Sequence, residues 1–150
     1  YFVPQKVTCG SGGLSPQTPV VMASYAYPIF MTYADRPADQ IHALTKAFID
    51  TYDKYKEGAP GAEGMALNLQ NLTWVVPYHE GTIGAFKEKG VWNDSAQKHN
   101  DALLKRQSVM MDAWKAFTAS APSDDKAFAE GWVKARAEAL KKAGMDAVFD

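Results

Sequence analysis

Cysteine and histidine are scarce in this chain of 150 residues. Cys9 is the single cysteine, which excludes an internal disulfide. A helical zinc site of the H-E-x-x-H type needs a second histidine one turn after the first. His79 and Glu80 open such a pattern, but isoleucine occupies the required position and the other two histidines stand alone. We therefore expect no metal site, with His42, His79 and His99 either structural or facing solvent.

A nucleophile for catalysis is equally hard to find. Cys9 and Ser11 are the candidates in a glycine-rich setting, Cys9-Gly-Ser-Gly-Gly. This segment lacks the G-x-S-x-G order of a nucleophile elbow and does not join a predicted strand to a predicted helix. Its backbone N–H groups could hold an anion, although a surface loop is the favoured interpretation. We expect no catalytic residue and no cofactor, and keep a hydrolase that uses Cys9 or Ser11 as the weakest alternative.

Charge is nearly balanced along the whole chain. A formal net charge of −1 gives no electrostatic footprint for nucleic acid, so we expect no nucleic-acid partner. Residues 7–34 contain no Asp, Glu, Lys or Arg, but Pro16, Pro19 and Pro28 break this stretch. Its apolar part is also shorter than the ~20 residues of a spanning helix, so we expect no membrane span. Because the chain opens on Tyr1 rather than Met, we expect a processed product or a fragment.

Apolar periodicity predicts more helix than strand, by at least about two to one. β-branched and aromatic residues predict buried strand structure over 20–33, interrupted near Pro28, and a short extended run at 74–76. A short helix or turn is expected over 62–72. The longer helices are expected at 37–55, 78–89, 95–118 and 123–143.

Caps and prolines predict where these helices begin. Asp35 or Arg36 is expected to cap the first long helix, with Pro37 in its first turn, where a missing N–H has no consequence. His79 lies near the start of the helix at 78–89. We expect its neutral ring to donate to a backbone carbonyl and so fix the turn after Pro77.

The C-terminal third predicts a pair of helices, the first capped by Asn93 or Asp94. Aromatic residues recur on one side of each helix, and we expect them to form a core between the two. A stacking platform for single-stranded nucleic acid would need Lys or Arg interleaved on that face, which the pattern lacks. The aromatic residues concerned are Trp114, Phe117, Phe128 and Trp132.

Two tyrosines in the uncharged stretch are the leading ligand-binding candidates. Tyr25 and Tyr27, spaced i and i+2, would point to one face of a strand, and each offers an apolar ring with a polar tip. Such groups suit a mostly apolar pocket. Ser24 is a candidate on the opposite face, and Gly12 and Gly13 would allow close backbone approach from the preceding loop. A strand packed in the core with satisfied hydroxyl groups is an equally open interpretation.

Three segments follow one another in an order that is typical of a known family. The first is Thr18-Pro-Val-Val with the uncharged run up to residue 33 and Ala-Asp-Arg-Pro-Ala-Asp at 34–39. The second is Leu-Thr-Lys-Ala-Phe at 44–48. The third places Pro77, His79, Gly81, Glu88, Lys89 and Gly90 in a turn and the helix after it. Together they resemble the TAXI family of extracytoplasmic solute receptors. The chain departs from the pattern where Glu80 replaces a proline and Ala85-Phe86 replaces an aromatic pair.

The resemblance implies a receptor of two lobes. Residues 1–92 would be its C-terminal part and 93–150 a helical extension that packs on the same unit. The implied fold is α/β, part of a type II periplasmic-binding-protein architecture, and mostly helical in this segment. The family captures small solutes, here a small organic anion or amino-acid-like compound, in the periplasm. Its implied partners are the membrane subunits of a TRAP transporter and the N-terminal half of the same receptor.

In such a receptor the chain passes between the lobes near Pro28, which would place Tyr25 and Tyr27 beside the cleft. Binding would then close the two lobes around the solute by hinge motion. The alternative from another class is a helical interaction or oligomerisation domain without a ligand role of its own.

Overall fold

A computed structural model describes residues 3–8, 12–24, 29–59 and 61–148. The chain divides into two compact units, Tyr1–Trp92 and Asn93–Asp150. Five α-helices and one two-stranded sheet make up the regular structure of the described residues. The strands have five residues each, whereas the three longest helices have 13, 25 and 18 residues. The prediction of a mostly helical α/β segment is therefore confirmed. The assignment of 93–150 as an extension packed on the first unit stays a prediction.

The sheet pairs β1 (Val3–Val7) with β2 (Val20–Ser24) in antiparallel orientation, with Val3 opposite Ser24 and Val7 opposite Val20. The predicted burial of this region is wrong. Val20, Val21 and Met22 are all exposed, Val21 by 66%, although neighbours on a strand face opposite sides. Both faces of the ribbon therefore lack a covering layer among the described residues. β-branched side chains favoured the strand, but burial needs a second packed layer, which the pattern does not encode.

Residues 29–33 do not continue the strand, which corrects the prediction for 20–33. Phe30, Met31 and Tyr33 are exposed in this segment. The first helix, α1 (Ala38–Asp50), then begins with Pro37 as its N-cap and no side-chain cap, so neither Asp35 nor Arg36 caps it. Pro37 has extended backbone, with ψ of 130°, and stands one position before the predicted one.

A short helix, α2 (Tyr52–Tyr55), follows α1, and two 3₁₀ turns follow at Ala62–Met65 and Leu67–Leu69. These turns match the short helix or turn predicted over 62–72. Residues 75 and 76 form a bend, so the predicted extended run at 74–76 is wrong. The connection from α2 to the next helix therefore consists of two 3₁₀ turns and irregular structure.

The helix α3 (Glu80–Glu88) packs on α1 and brings the core of the first unit together. Ala85 and Phe86 are buried, and the Phe86 ring lies 5.5 Å from that of Tyr78. Polar contacts tie the same two helices. His42 Nε2 lies 2.8 Å from Glu88 Oε1, and Lys89 Nζ lies 2.7 Å from Asp50 Oδ1. The apolar stripe of α1 is thus packed against α3, which begins some 30 residues after α1 ends.

The second unit is a pair of packed helices, α4 (Asp94–Thr118) and α5 (Asp125–Lys142). The side-chain oxygen of Asn93 caps α4, and that of Asp124 caps α5. Each oxygen accepts a backbone N–H at 2.9 Å. The predicted aromatic cluster is confirmed: the Trp132 ring lies 4.9 Å from that of Trp114, and Phe117 lies 5.1 Å from Phe128. Trp114 nevertheless keeps 42% of its surface exposed, so the cluster forms the edge of the helix pair.

Candidate functional site

A cavity of about 320 Å³ lies in the first unit, between α1, α3 and the irregular connection before α3. Its mouth is the part of the lining that is exposed to solvent, which includes Phe30, Met31 and Leu44. Its walls come from four stretches of chain, 29–32, 41–55, 65–70 and 74–86. The lining residues are Ile29, Phe30, Met31, Thr32, Ile41, Leu44, Thr45, Phe48, Ile49, Tyr55, Met65, Leu67, Gln70, Trp74, Val76, Pro77, Tyr78, His79, Thr82 and Phe86.

The apolar wall follows from the helical periodicity of α1. Ile41, Leu44 and Phe48 recur at three- and four-residue steps and face the cavity together. The ring of Phe30 stacks on that of Phe48 with centroids 4.6 Å apart. Because Phe30 is itself mostly exposed, it covers the mouth without being fixed in a core. The site therefore has a helical wall and a rim that is exposed to solvent.

The lining carries no Asp, Glu, Lys or Arg among the residues that the structure describes. Most of its polar groups are satisfied by the protein. Thr45 Oγ1 donates to the carbonyl of Ile41 at 2.8 Å, so the hydroxyl of Thr82, 3.0 Å away, must donate to Thr45. The amide nitrogen of Gln70 donates to the carbonyl of Ala66 at 3.0 Å. The cavity is thus uncharged and mostly apolar, with few polar groups left for a solute.

Two tyrosines of the wall also have occupied hydroxyl groups. The Tyr55 hydroxyl donates to the carbonyl of Phe48 at 3.0 Å, and the Tyr78 hydroxyl donates to the carbonyl of Asn71 at 2.9 Å. Burial raises the pKa of the Tyr78 hydroxyl because the phenolate loses its hydration. Desolvation also raises the pKa of the Tyr55 hydroxyl. Both rings therefore present apolar surface, with no ionised group at neutral pH.

His79 is the N-cap of α3, and its hydrogen bond runs opposite to the predicted one. Its Nδ1 accepts the backbone N–H of Gly81 at 3.1 Å, instead of the ring donating to a carbonyl. A free helix N-terminus offers donors, so a capping side chain must accept. The other ring nitrogen, Nε2, is buried and has no hydrogen-bond partner within the described part of the chain. His79 is thus structural, as expected, and also lines the cavity.

None of the predicted ligand-binding residues is among the described residues of the cavity wall. Tyr25 and Tyr27 fall outside the described residues, as do Cys9 and Ser11. Ser24 ends β2, and Gly12 and Gly13 lie in the exposed loop between the strands. Both glycines have positive φ, 85° and 81°, and a β-carbon on either would meet no atom within 4 Å. Their backbone conformation accounts for glycine at these two positions. The role of the two tyrosines, Ser24 and the two glycines in ligand binding stays a prediction.

Sequence reasoning missed the cavity, although part of its signal was visible. The spacing of Ile41, Leu44 and Phe48 predicts an apolar stripe on the helix at 37–55 and gives no sign of a cavity. The sequence does not show that the connection before α3 leaves unfilled space beside that stripe. His79 was singled out for its place in the turn, and its contact with a cavity could not follow from that place alone.

The described residues contain no group of three or more His, Cys, Asp or Glu side chains that could hold a metal ion. Within the same part of the chain, no helix has the length and apolar character to cross a membrane. Neither the curated proteins nor the solved structures include a significant match to this sequence.

The comparison with protein families gives a match over most of the first unit. The sequence model of the NMT1-like family matches residues 11–90, which include every residue of the cavity wall. This match covers more than half of the 150 residues. The chain therefore belongs to the NMT1-like family, a family of periplasmic solute-binding type related to the TRAP and ABC receptors.

Proposed function

We propose that this chain forms part of an extracytoplasmic solute-binding receptor of the TAXI type. The receptor captures a small organic solute, of carboxylate or amino-acid type, in the periplasm and delivers it to the membrane subunits of a TRAP transporter. One observation carries the proposal: the family match over residues 11–90 contains the whole wall of the cavity between α1 and α3. The three TAXI-like segments of the sequence fall within or overlap the same range.

The cavity has the character of a solute site. Small-molecule pockets span roughly 300–1,000 Å³ and are mostly apolar, with a few placed polar groups. A volume of about 320 Å³ lies at the lower end of that range. The mouth carries Phe30, Met31 and Leu44, which are exposed and would be covered when a solute is enclosed. A small solute is therefore better suited to this site than a peptide or a cofactor.

The exposure of strand β2 favours a receptor that has a second lobe. Val20, Val21 and Met22 present apolar side chains on both faces of a ribbon that has only two strands. In a two-lobed receptor, strands of the N-terminal half would cover such a ribbon, and a hinge would lie near the chain crossing. Closure would be favoured by contacts that exist only in the closed state. No bond is made or broken in this mechanism, so we propose that the protein is not an enzyme.

Binding can be tested on the chain itself by a thermal-shift screen followed by titration calorimetry. The panel consists of monocarboxylates, dicarboxylates and amino acids. A solute present at 100 times its Kd should stabilise the folded state by about 2.7 kcal/mol, because it binds only that state. A saturable shift with at least one compound is the expected result. The absence of a shift with every compound, under conditions where the protein is folded, would contradict a solute-binding role.

A helical interaction domain remains the second candidate, because α4 exposes apolar residues on one side. Leu104, Met111 and Trp114 are exposed, and Val133 of α5 is exposed as well. Exposed apolar patches of this kind mark protein interfaces when they are contiguous. Sedimentation of the chain over a range of concentrations separates the candidates. Self-association that is lost on Met111→Glu, without any solute response, would favour the interaction domain.

A further inference from the structure

The capping bond of His79 fixes which ring nitrogen carries the proton. The backbone N–H of Gly81 can only donate, so Nδ1 of His79 must accept it, and the contact is 3.1 Å long. In the neutral ring the proton is then on Nε2. The helix α3 therefore holds His79 as a donor through Nε2.

This donor has no acceptor among the described residues. Nε2 is buried, and none of the residues at 3–8, 12–24, 29–59 and 61–148 supplies a hydrogen-bond partner. Native proteins pair nearly all buried N–H groups, so an unpaired one calls for an explanation. The neighbouring hydroxyl groups of Thr45 and Thr82 are already engaged with each other and with the carbonyl of Ile41. His79, a residue of the mostly apolar cavity wall, thus holds an unused donor that its neighbours cover.

We propose that Nε2–H of His79 anchors one carboxylate oxygen of an apolar monocarboxylate, whose hydrocarbon body fills the cavity against Phe48, Ile49 and Phe86. This inference rests on the proposed function and narrows its solute class. A carboxylate at this position also lies near the positive end of α3, where nine residues of helix favour an anion.

The uncharged lining selects against solutes with more than one charge. No Asp, Glu, Lys or Arg lines the described wall, so the ammonium group of an amino acid would find no carboxylate there. The second carboxylate of a dicarboxylate would find no cation. A charge that is buried without a partner is strongly unfavourable. An aromatic or branched-chain acid carries one carboxylate only, so its single charge meets the Nε2–H donor and the positive end of α3, and no second charge is buried.

Access to Nε2 requires a local displacement. The atom is covered by its neighbours in this structure, so a solute oxygen reaches it only when side chains of the wall shift. Rotamer changes at binding surfaces are common even where the backbone hardly moves. The rim residues Phe30 and Met31 are mostly exposed and can move without unpacking a core.

Titration calorimetry on the full 150-residue chain tests the anchor with two matched variants. His79→Asn keeps an N-cap, because asparagine caps helices well, but it removes the Nε2 donor. His99→Asn makes the same chemical change in the second unit, at a residue that does not line the cavity. The probes are hydrocinnamate and isocaproate, with hydrocinnamyl alcohol, succinate and glutamate for comparison. Thermal unfolding of each variant without probe reports whether the cap is retained.

We expect the wild type and His99→Asn to bind hydrocinnamate more tightly than its alcohol, succinate or glutamate. We expect His79→Asn to lose roughly 10- to 100-fold in affinity for hydrocinnamate, as for one hydrogen bond to a charged group, while its unfolding temperature is retained. Equal affinity in His79→Asn and wild type would overturn the anchor. Binding of succinate or glutamate in preference to hydrocinnamate would overturn the solute class and leave the proposed function intact. Binding of none of the acids would overturn the proposed function as well.

Discussion

A β-carbon built on Gly81 would overlap the carbonyl oxygen of Ala38, so α3 crosses α1 backbone against backbone at this point. The same β-carbon would lie 2.7 Å from the backbone nitrogen of His42. Backbone atoms cannot move aside as the end of a flexible side chain can. The crossing therefore requires glycine, and it holds the two helical walls of the cavity together.

Gly81→Ala is accordingly expected to destabilise the first unit by about 1–3 kcal/mol, as overpacking does. Alanine would gain up to ~1 kcal/mol in helix propensity, which is too little to offset the overlap. Gly64→Ala is the matched control, because a β-carbon there meets no atom within 4 Å, and its effect should stay within about 0.5 kcal/mol. Urea denaturation followed by tryptophan fluorescence measures both. Equal stability of the two variants would refute the close crossing.

The aromatic cluster of the second unit predicts a graded response to truncation. Trp132 contacts the rings of Trp114 and Phe117 at centroid distances of 4.9 and 5.8 Å and is more buried than Trp114. Trp132→Ala should reduce the free energy of unfolding by about 3 kcal/mol, the low end for a large buried aromatic residue. Trp114→Ala should have a smaller effect because that ring is 42% exposed. A loss below about 1 kcal/mol for Trp132→Ala would instead indicate a partner surface.

The link between α1 and α3 at Asp50 should make stability depend on acid pH. The hydrogen bond from Lys89 lowers the pKa of Asp50 below 3.8, and Lys46 adds to the effect. A carboxylate with a lowered folded pKa stabilises the protein above its unfolded pKa and loses this contribution as the pH falls through the folded value. Asp50→Asn should therefore be less stable than wild type at pH 7, and the difference should shrink below pH ~4. Urea midpoints that differ by a constant amount from pH 7 to pH 2.5 would contradict this linkage.

The role of Tyr25 and Tyr27 beside the cleft stays a prediction. If either hydroxyl contacts a neutral group of the solute, Tyr25→Phe or Tyr27→Phe should weaken binding by ~0.5–1.5 kcal/mol, and by ~1.5–3 kcal/mol for a charged group. Titration calorimetry against wild type measures the loss. Unchanged affinity in both variants, with the fold intact, would assign the two rings to packing.

Helical periodicity predicted α1, α3, α4 and α5 because each has an apolar stripe that repeats every three or four residues. The cap of α4 at Asn93 could also be anticipated, since its amide oxygen suits the first free N–H groups. The direction of the His79 bond could not, because either ring nitrogen can donate or accept until the partner is known. Only the position of Gly81 N–H decides it.

Burial and cavities depend on contacts between distant parts of the chain. The exposure of Val21 in β2 could not be predicted, because a valine-rich strand has the same sequence pattern whether or not a second layer covers it. The cavity arises where α1 meets α3, and the contact of Thr45 with Thr82 spans 37 residues of sequence. Local patterns specify the faces of helices, but the space left between them is set by the tertiary arrangement.

The cavity between α1 and α3 is the central claim, and blocking its mouth tests it most directly. Leu44 lines the cavity and is 53% exposed, whereas Leu69 is 61% exposed and does not line it. Leu44→Trp should obstruct the mouth with little effect on stability, and Leu69→Trp adds the same bulk elsewhere. Titration calorimetry with the tightest acid of the panel should show at least about tenfold weaker binding for Leu44→Trp, a loss of ~1.4 kcal/mol, and wild-type affinity for Leu69→Trp. Wild-type affinity in both variants would place the solute outside this cavity and contradict the account.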